Sequence, residues 1–389
     1  MPRHPGLSPT TGTLRSTLYD VLSRGARRRE GPLHRLNVGD TWLEPPPAAR
    51  AEAQRTADHP LMHTYAAPHG EPALLDSVRE RLAGRSPFPV ERGCIQITAG
   101  ATSGISVACQ TILDPGDEVL LPSPFWPLIR GIIASRGAVP VQIAFFTRLD
   151  EPGFDPEAAL EAAVTPRTAA IYLNTPHNPT GRILTEAQVE AFARVARRHD
   201  LWLLADEAYE DLWYGEDAPA PAWAREDLRE RAVAFHTFSK SYGMAGARVG
   251  YAHGPAALME RVRGVTTHQV YCAPRPMQFA ALAALREGAG WPAEARRLYA
   301  EAGRRAARAL GLPEPQAGIF LFFDASPWSG GERDALPFLE RCLDAGVLLS
   351  PGISSGEHYA SWARICFTVV PPAELDDALA RLRAVMGRG

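Results

Sequence analysis

Lysine is nearly missing from this chain: of 41 basic residues among 389, 40 are arginine and one, Lys240, is lysine. Asparagine is scarce too, confined to Asn37, Asn174 and Asn178. Such a skew fits a GC-rich coding background, in which arginine takes every site where any long cation suffices. A lysine that survives it is a candidate for chemistry that needs a primary amine. An amine condenses with a carbonyl to an imine; a permanently protonated guanidinium does not.

Other absences narrow the field. Acidic and basic residues nearly cancel, leaving a net charge of −3, so there is no electrostatic footprint for nucleic acid or an anionic membrane. No apolar run approaches the ~20 residues that span a bilayer. The start of the chain lacks the pattern of a secretory signal. Its arginine- and serine-containing, acid-poor stretch Met1 to Arg29 reads equally as a faint transit peptide or a solvated arm. The five cysteines, Cys94, Cys109, Cys272, Cys342 and Cys366, show no metal-ligand or CxxC spacing. Reduced thiols in a cytoplasmic protein, with no metal site, are the expectation.

What is present is an alternation of short apolar runs and longer segments of 3.6-residue period. Leu14 to Arg28 is loosely amphipathic, and Gly31 to Pro47 reads as an extended connection. Strands are expected at Cys94–Thr98, Glu118–Leu121, Val139–Ala144, Ala169–Leu173, Leu201–Ala205, Ala232–Thr237 and Arg248–Ala252. Helical patterns fall between them, including Ser103–Leu113 and Glu186–His199, the latter opened by Thr185 and Gln188 in capping-box spacing. Continuous apolar strands interleaved with helices predict an α/β fold, a large domain whose mostly parallel sheet is covered by helices on both faces. Helices at Glu294–Leu310, Asp334–Ala345 and Ala373–Met386, with strands at Gly318–Asp324, Val347–Ser350 and Arg364–Val369, suggest a smaller α+β domain. The division expected is 1–63 for an N-terminal arm and part of the small domain, 64–285 for the large domain and 286–389 for the rest of the small one.

Four motifs carry chemistry, three of them following expected strands directly. Lys240 comes just after Ala232–Thr237, where α/β sheets place their ligands. Asp206-Glu-Ala-Tyr209 follows Leu201–Ala205; a carboxylate there needs a cation or a donor, although a helix N-cap would explain Asp206 taken alone. Asn174-Thr-Pro-His-Asn-Pro-Thr-Gly181 follows Ala169–Leu173 and holds two of the three asparagines in a rigid loop. Thr98-Ala-Gly-Ala-Thr-Ser-Gly104 is a strand-to-helix junction of small residues, suited to an anion but lacking the lysine of a P-loop.

Together these motifs resemble the class I/II aminotransferases, the fold-type I enzymes that use pyridoxal 5′-phosphate, over about Gly39 to Arg364. The likeness rests on order and spacing: Asn-Pro-Thr-Gly, then Asp-x-x-Tyr, a Ser-x-Ser-Lys-like sequence at Lys240, and Arg248 beyond it. Asp114-Pro-Gly-Asp-Glu-Val119 followed by Ser-Pro-Phe-Trp126 adds to it. The resemblance implies that Lys240 carries the cofactor as an imine and then shuttles the proton, and that Asp206 keeps the ring nitrogen protonated. It implies that Tyr209 and Asn178 bond the ring's phenolic oxygen and that Trp126 stacks on the ring. The phosphate would be held by Gly100, Ala101, Thr102, Thr237, Ser239 and Arg248, with Tyr65 reaching the neighbouring subunit of a homodimer. Arg364 would grip the substrate carboxylate near Gly39 and Asn178. The phosphate turn reads Gly-Ala-Thr, and Thr237 stands where many members have serine; both keep the N–H or hydroxyl required.

The implied reaction moves an amino group from an L-amino acid to a 2-oxo acid. Val265-Thr-Thr-His-Gln-Val-Tyr271 lacks the arginine that aspartate-type members use for a distal carboxylate, and Trp42 is placed to line a pocket for an apolar or aromatic side chain. The same scaffold also hosts C–S lyases and other non-transaminating enzymes, which would release pyruvate and ammonia without a 2-oxo acid. A cofactor-binding regulator would need an attached DNA-binding module, and the N-terminal sixty or so residues show no basic helix-turn-helix pattern.

Overall fold

The computed structural model describes residues 9–12, 14, 22, 25, 26, 30–330 and 333–387. Most of the amphipathic stretch expected at Leu14 to Arg28 lies outside the described residues.

After a two-residue strand, β1 (His34–Arg35), the chain lays down β2 (Ile95–Thr98), β3 (Glu118–Ser123), β4 (Val139–Ala144), β5 (Thr168–Asn174), β6 (Trp202–Asp206), β7 (Ala232–Thr237) and β8 (Gly250–His253). The last seven form one sheet in the order β2-β8-β7-β6-β5-β3-β4. Four adjacent pairs are parallel, and β8 alone runs against its neighbours β2 and β7. Strands β3 and β7 are buried at every position and β6 at all but its first, as continuous apolar runs require at the centre of a two-sided sheet. The edge strand β4 buries only Ile143 fully.

One face is covered by the helices Gly100–Ile112, Pro127–Ala134 and Ala256–Gln269, whose Ile105, Ile129 and Met259 share a core with Tyr172, Leu204 and Phe235. The other takes Pro72–Ala83, Glu186–Arg198 and Arg275–Glu287, which bring Leu82, Phe192 and Ala281 to Ile97, Leu203 and Ala234. The capping box forms as the sequence predicts: Gln188 N–H donates to the Thr185 hydroxyl and Thr185 N–H to the Gln188 side chain. No helix among the described residues is long and apolar enough to cross a membrane.

The smaller lobe draws on both ends of the chain. Strands β9 (Phe320–Asp324), β10 (Val347–Leu348), β11 (Ser350–Pro351) and β12 (Trp362–Cys366) make an antiparallel sheet β11-β12-β9 and a parallel pair β1–β10. The single strand expected at Val347–Ser350 is therefore two, which join different sheets on either side of Leu349. Two helices pack across the expected domain division. Helix Pro47–Ala53, expected with the small lobe, packs on Arg275–Glu287 of the large one. Helix Trp291–Leu310 joins the lobes: Ala295 and Tyr299 pack with Tyr209 and Phe320, while Ala306, Ala307 and Leu310 enter the small-lobe core.

Candidate active site

Strands β5, β6 and β7 end side by side, and the residues at their C-terminal ends open onto a cleft of about 230 Å³. Of the residues singled out in the sequence, Gly39, Ala101, Thr102, Trp126, Asn178, Asp206, Tyr209, Thr237, Ser239, Lys240 and Arg248 line it.

Lys240 sits on one helical turn, Phe238–Ser241, started by Thr237, whose hydroxyl accepts from Ser239 N–H at 3.1 Å. Its Nζ donates to the Gly39 carbonyl at 2.5 Å and lies 3.6 Å from Asp40 Oδ1. Burial pushes the lysine below its ordinary value, with Asp40 opposing and Arg248 adding to the shift. A larger share of neutral, nucleophilic amine follows.

Asp206 closes β6 and is buried. The Tyr172 hydroxyl donates to its Oδ2 at 2.5 Å and the Ala208 N–H to its Oδ1 at 3.1 Å. Burial raises its pKa, while these two donors and the charge of His236 pull it back toward the ionised form. Asn174 donates to the Asp206 carbonyl at 2.8 Å and accepts from Asn178 N–H at 2.8 Å, which locks the loop to the neighbouring strand. Asn178 Nδ2 in turn donates to the Tyr209 hydroxyl at 3.4 Å. Burial raises the Tyr209 phenol, so it stays protonated.

Arg364, on β12, is 6% exposed. It donates to Asn178 Oδ1 at 3.1 Å, the Asn37 carbonyl at 3.0 Å and Ser350 Oγ at 3.3 Å, and lies 4.3 Å over the Phe320 ring. Its buried Nε has no hydrogen-bond partner among the described residues. A buried guanidinium without a carboxylate partner among the described residues is chemically suited to an anion.

The small-residue junction is a cradle. The expected helix Ser103–Leu113 starts earlier, at Gly100, whose φ of +78° favours glycine. A Cβ on Gly100 would stand 2.7 Å from Arg248 Nη2. Arg248 is not in the strand expected from it: it takes a left-handed φ of 53°, and β8 begins two residues later. This turn aims its guanidinium at the helix start, where free N–H groups and the helix dipole favour an anion.

Two expected residues lie elsewhere. Trp42 does not line the cleft; it borders a separate hollow with Leu298 and Phe367, and its backbone N–H donates to the Thr368 carbonyl at 2.7 Å. Tyr65 is 79% exposed, its ring 4.6 Å from that of Tyr271, away from this chain's own cleft. Sequence reasoning missed Asp40 and Tyr172. Tyr172 lies two residues before Asn174 on β5, hence on the same face, and that alternation was a usable signal. All five cysteines are free thiols.

The donor set fits pyridoxal 5′-phosphate: an amine for its carbonyl, a buried carboxylate for its ring nitrogen, and a glycine-built cradle with a guanidinium for its phosphate. Comparison with known proteins agrees. A family model described as aminotransferase class I and II matches residues 32–382. The aspartate/prephenate aminotransferase of Thermus thermophilus is 32% identical over 93% of this chain and 93% of its own. The arginine–pyruvate transaminase of Pseudomonas aeruginosa is 33% identical over 89% and 88%. The solved aspartate aminotransferase of Rhizobium meliloti superposes with a TM-score of 0.90 at 26% identity, over 99% of this chain and 100% of that one. Matched along nearly its whole length by the family model and by enzymes so named, and sharing their fold, the chain belongs to the class I and II aminotransferases and is a pyridoxal-phosphate-dependent aminotransferase.

Proposed function

We propose that the enzyme moves the amino group of an L-amino acid with an apolar or aromatic side chain to a 2-oxo acid, and that it works as a homodimer. When bound, pyridoxal phosphate supplies a reactive carbonyl and an electron-accepting ring. Lys240 Nζ anchors the cofactor, and its lowered basicity suits it to take the proton from the substrate α-carbon. With the cofactor bound, Asp206 would hold the proton on the ring nitrogen, Tyr209 and Asn178 would donate toward the phenolic oxygen, and Trp126 would cover the ring face. Gly100, Ala101 and Thr102 offer N–H groups to the phosphate, Thr237 and Ser239 their hydroxyls, and Arg248 its charge. Arg364 takes the substrate carboxylate beside Gly39.

The observation that carries the donor class is the charge around the cleft. Apart from Arg248, Lys240 and Arg364, which reaches the cleft through Asn178 and is already committed to the α-carboxylate, no cation among the described residues borders it, while Ala101, Ile105, Trp126 and Ala208 line it. Asp40 adds a carboxylate beside Lys240, which repels a second carboxylate on the donor. The dimer rests on exposed Leu61, Tyr65, Val270 and Tyr271, an apolar group that includes the tyrosine expected to reach a neighbour's phosphate. Five free thiols support a reducing, cytoplasmic setting. The relatives compared are named as transaminating enzymes, which does not favour the lyase alternative. Steady-state kcat/KM for phenylalanine and leucine should exceed that for aspartate by at least about tenfold, the worth of one missing ion pair. Aspartate ahead of both would overturn the donor class, and arginine ahead of both would move it to cationic side chains.

A further inference from the structure

Behind Asp206, on the reverse face of the sheet, lies a second set of buried ionisable groups that the reaction does not touch. Phe235 of β7 pairs with Asp206 of β6, and Thr237 lines the cleft. His236, between them in sequence, therefore points to the other face. It is fully buried and stacks on Tyr251, ring centroids 4.5 Å apart and 11° from parallel. Its Nδ1 is 3.1 Å from Glu210 Oε1, within ion-pair range though not aligned for a linear hydrogen bond. Its Nε2 is 3.1 Å from Nε2 of His253, which meets Trp223 edge-on at 4.4 Å.

Two imidazole nitrogens this close must share a proton. The doubly protonated form of His236 meets both demands at once, with Nδ1–H facing a carboxylate and Nε2–H facing the lone pair of His253. Burial and the charge of His236 push His253 well down, so it is the neutral acceptor. The other groups here close on one another. From the end of helix Pro72–Ala83, Arg81 and Arg85 each bridge Glu210 and Asp211, two cations to two anions. Burial beside Glu210 drives Glu207 well up toward its neutral acid. Tyr251 and Tyr242 are phenols raised by burial. An imidazolium at His236 would be the one charge left over in this cluster among the described residues, and Asp206, one strand away, is a buried anion with no cation in ion-pair range among them.

We propose that His236 is a positioning residue for the cofactor: held by Glu210 and His253, it keeps Asp206 ionised from across the sheet, and through Asp206 keeps the cofactor's ring nitrogen protonated. The inference rests on the reading that Asp206 faces that nitrogen. It assigns a task to a histidine that touches neither cofactor nor substrate.

The test uses holoenzyme loaded with pyridoxal phosphate carrying ¹⁵N in its ring, with the ring-nitrogen shift followed from about pH 6 to 9. In the wild type the nitrogen should stay protonated throughout. In His236→Gln, which still donates to Glu210 but carries no charge, the ring proton should be lost with about tenfold greater acidity, one unit lower in pH. A nitrogen protonated equally in both proteins would overturn the role of His236 and leave that of Asp206 standing; one already unprotonated in the wild type would overturn both. A second measurement needs no variant to fold: ¹⁵N-histidine spectra of the wild-type holoenzyme at pH 7 should show one buried imidazolium coupled to a neutral imidazole. Two neutral rings there would end the proposal.

Discussion

The two faces of the sheet at the end of β6 hold buried charges in opposite styles. On the cleft side Asp206 and Arg364 are buried with no oppositely charged partner within ion-pair distance among the described residues, Arg364 Nε has no hydrogen-bond partner there, and Lys240 meets a carboxylate only at 3.6 Å. On the reverse side Arg81, Arg85, Glu210 and Asp211 satisfy one another in a closed quartet. Both sets are costly to desolvate, and only the second is repaid within the chain. A buried cluster that closes on itself is holding structure; one that stays open is holding a place for something else.

Lys240→Arg should separate the two most sharply. It keeps the charge and loses the imine-forming amine, so transamination should fall by at least about 10³-fold while folding persists, as activity and unfolding curves would show. Retained turnover would remove Lys240 from the centre of the site. Glu210→Ala, on the closed side, should cost about 3–5 kcal/mol in urea unfolding, because two guanidiniums lose a shared partner. A loss below about 1 kcal/mol would break the comparison. Arg364→Lys keeps the cation but not the fork, so KM for the amino acid should rise about 10- to 100-fold. An unchanged KM would place the carboxylate elsewhere.

The smallest effect has the most telling sign. Burial depresses Lys240, so between its lowered value and the ordinary ~10.4 the folded protein binds fewer protons than the unfolded chain. Wild-type stability without cofactor should then rise with pH across that window. Lys240→Met should make the cofactor-free protein more stable at pH 7, with the advantage shrinking as pH climbs toward 10. Thermal unfolding of the two proteins over pH would reveal it; a destabilised Lys240→Met would mean that the amine is satisfied where it stands.

Most of the open cluster was legible in the sequence because its members follow apolar strands directly, and β-strand ends place neighbours predictably. Lys240 and Asn178 stood out by the run before each and the scarcity of lysine and asparagine, whereas Asp206, which a helix N-cap alone would explain, needed its spacing to the other motifs as well. The closed quartet was not legible, since Arg81 and Arg85 meet Glu210 and Asp211 only after a helix packs across the sheet, and forty arginines hide any two of them. Trp42 was misplaced for a similar reason: the loop after Gly39 turns toward helix Trp291–Leu310, and local sequence does not record that direction. The split at Leu349 likewise depends on which distant strands, β1 and β12, come to pair.

The antiparallel strand β8 has one more consequence. It brings Gly250 so near the start of helix Gly100–Ile112 that a Cβ there would lie 2.9 Å from the Gly100 carbonyl carbon and 3.0 Å from Ala101 N, and nearer still to the His236 carbonyl. The back of the proposed phosphate cradle is therefore main chain pressed on main chain, with no side chain between. That wall cannot be moved by swapping a side chain, whereas the donor end of the cleft is walled by side chains that can be swapped singly.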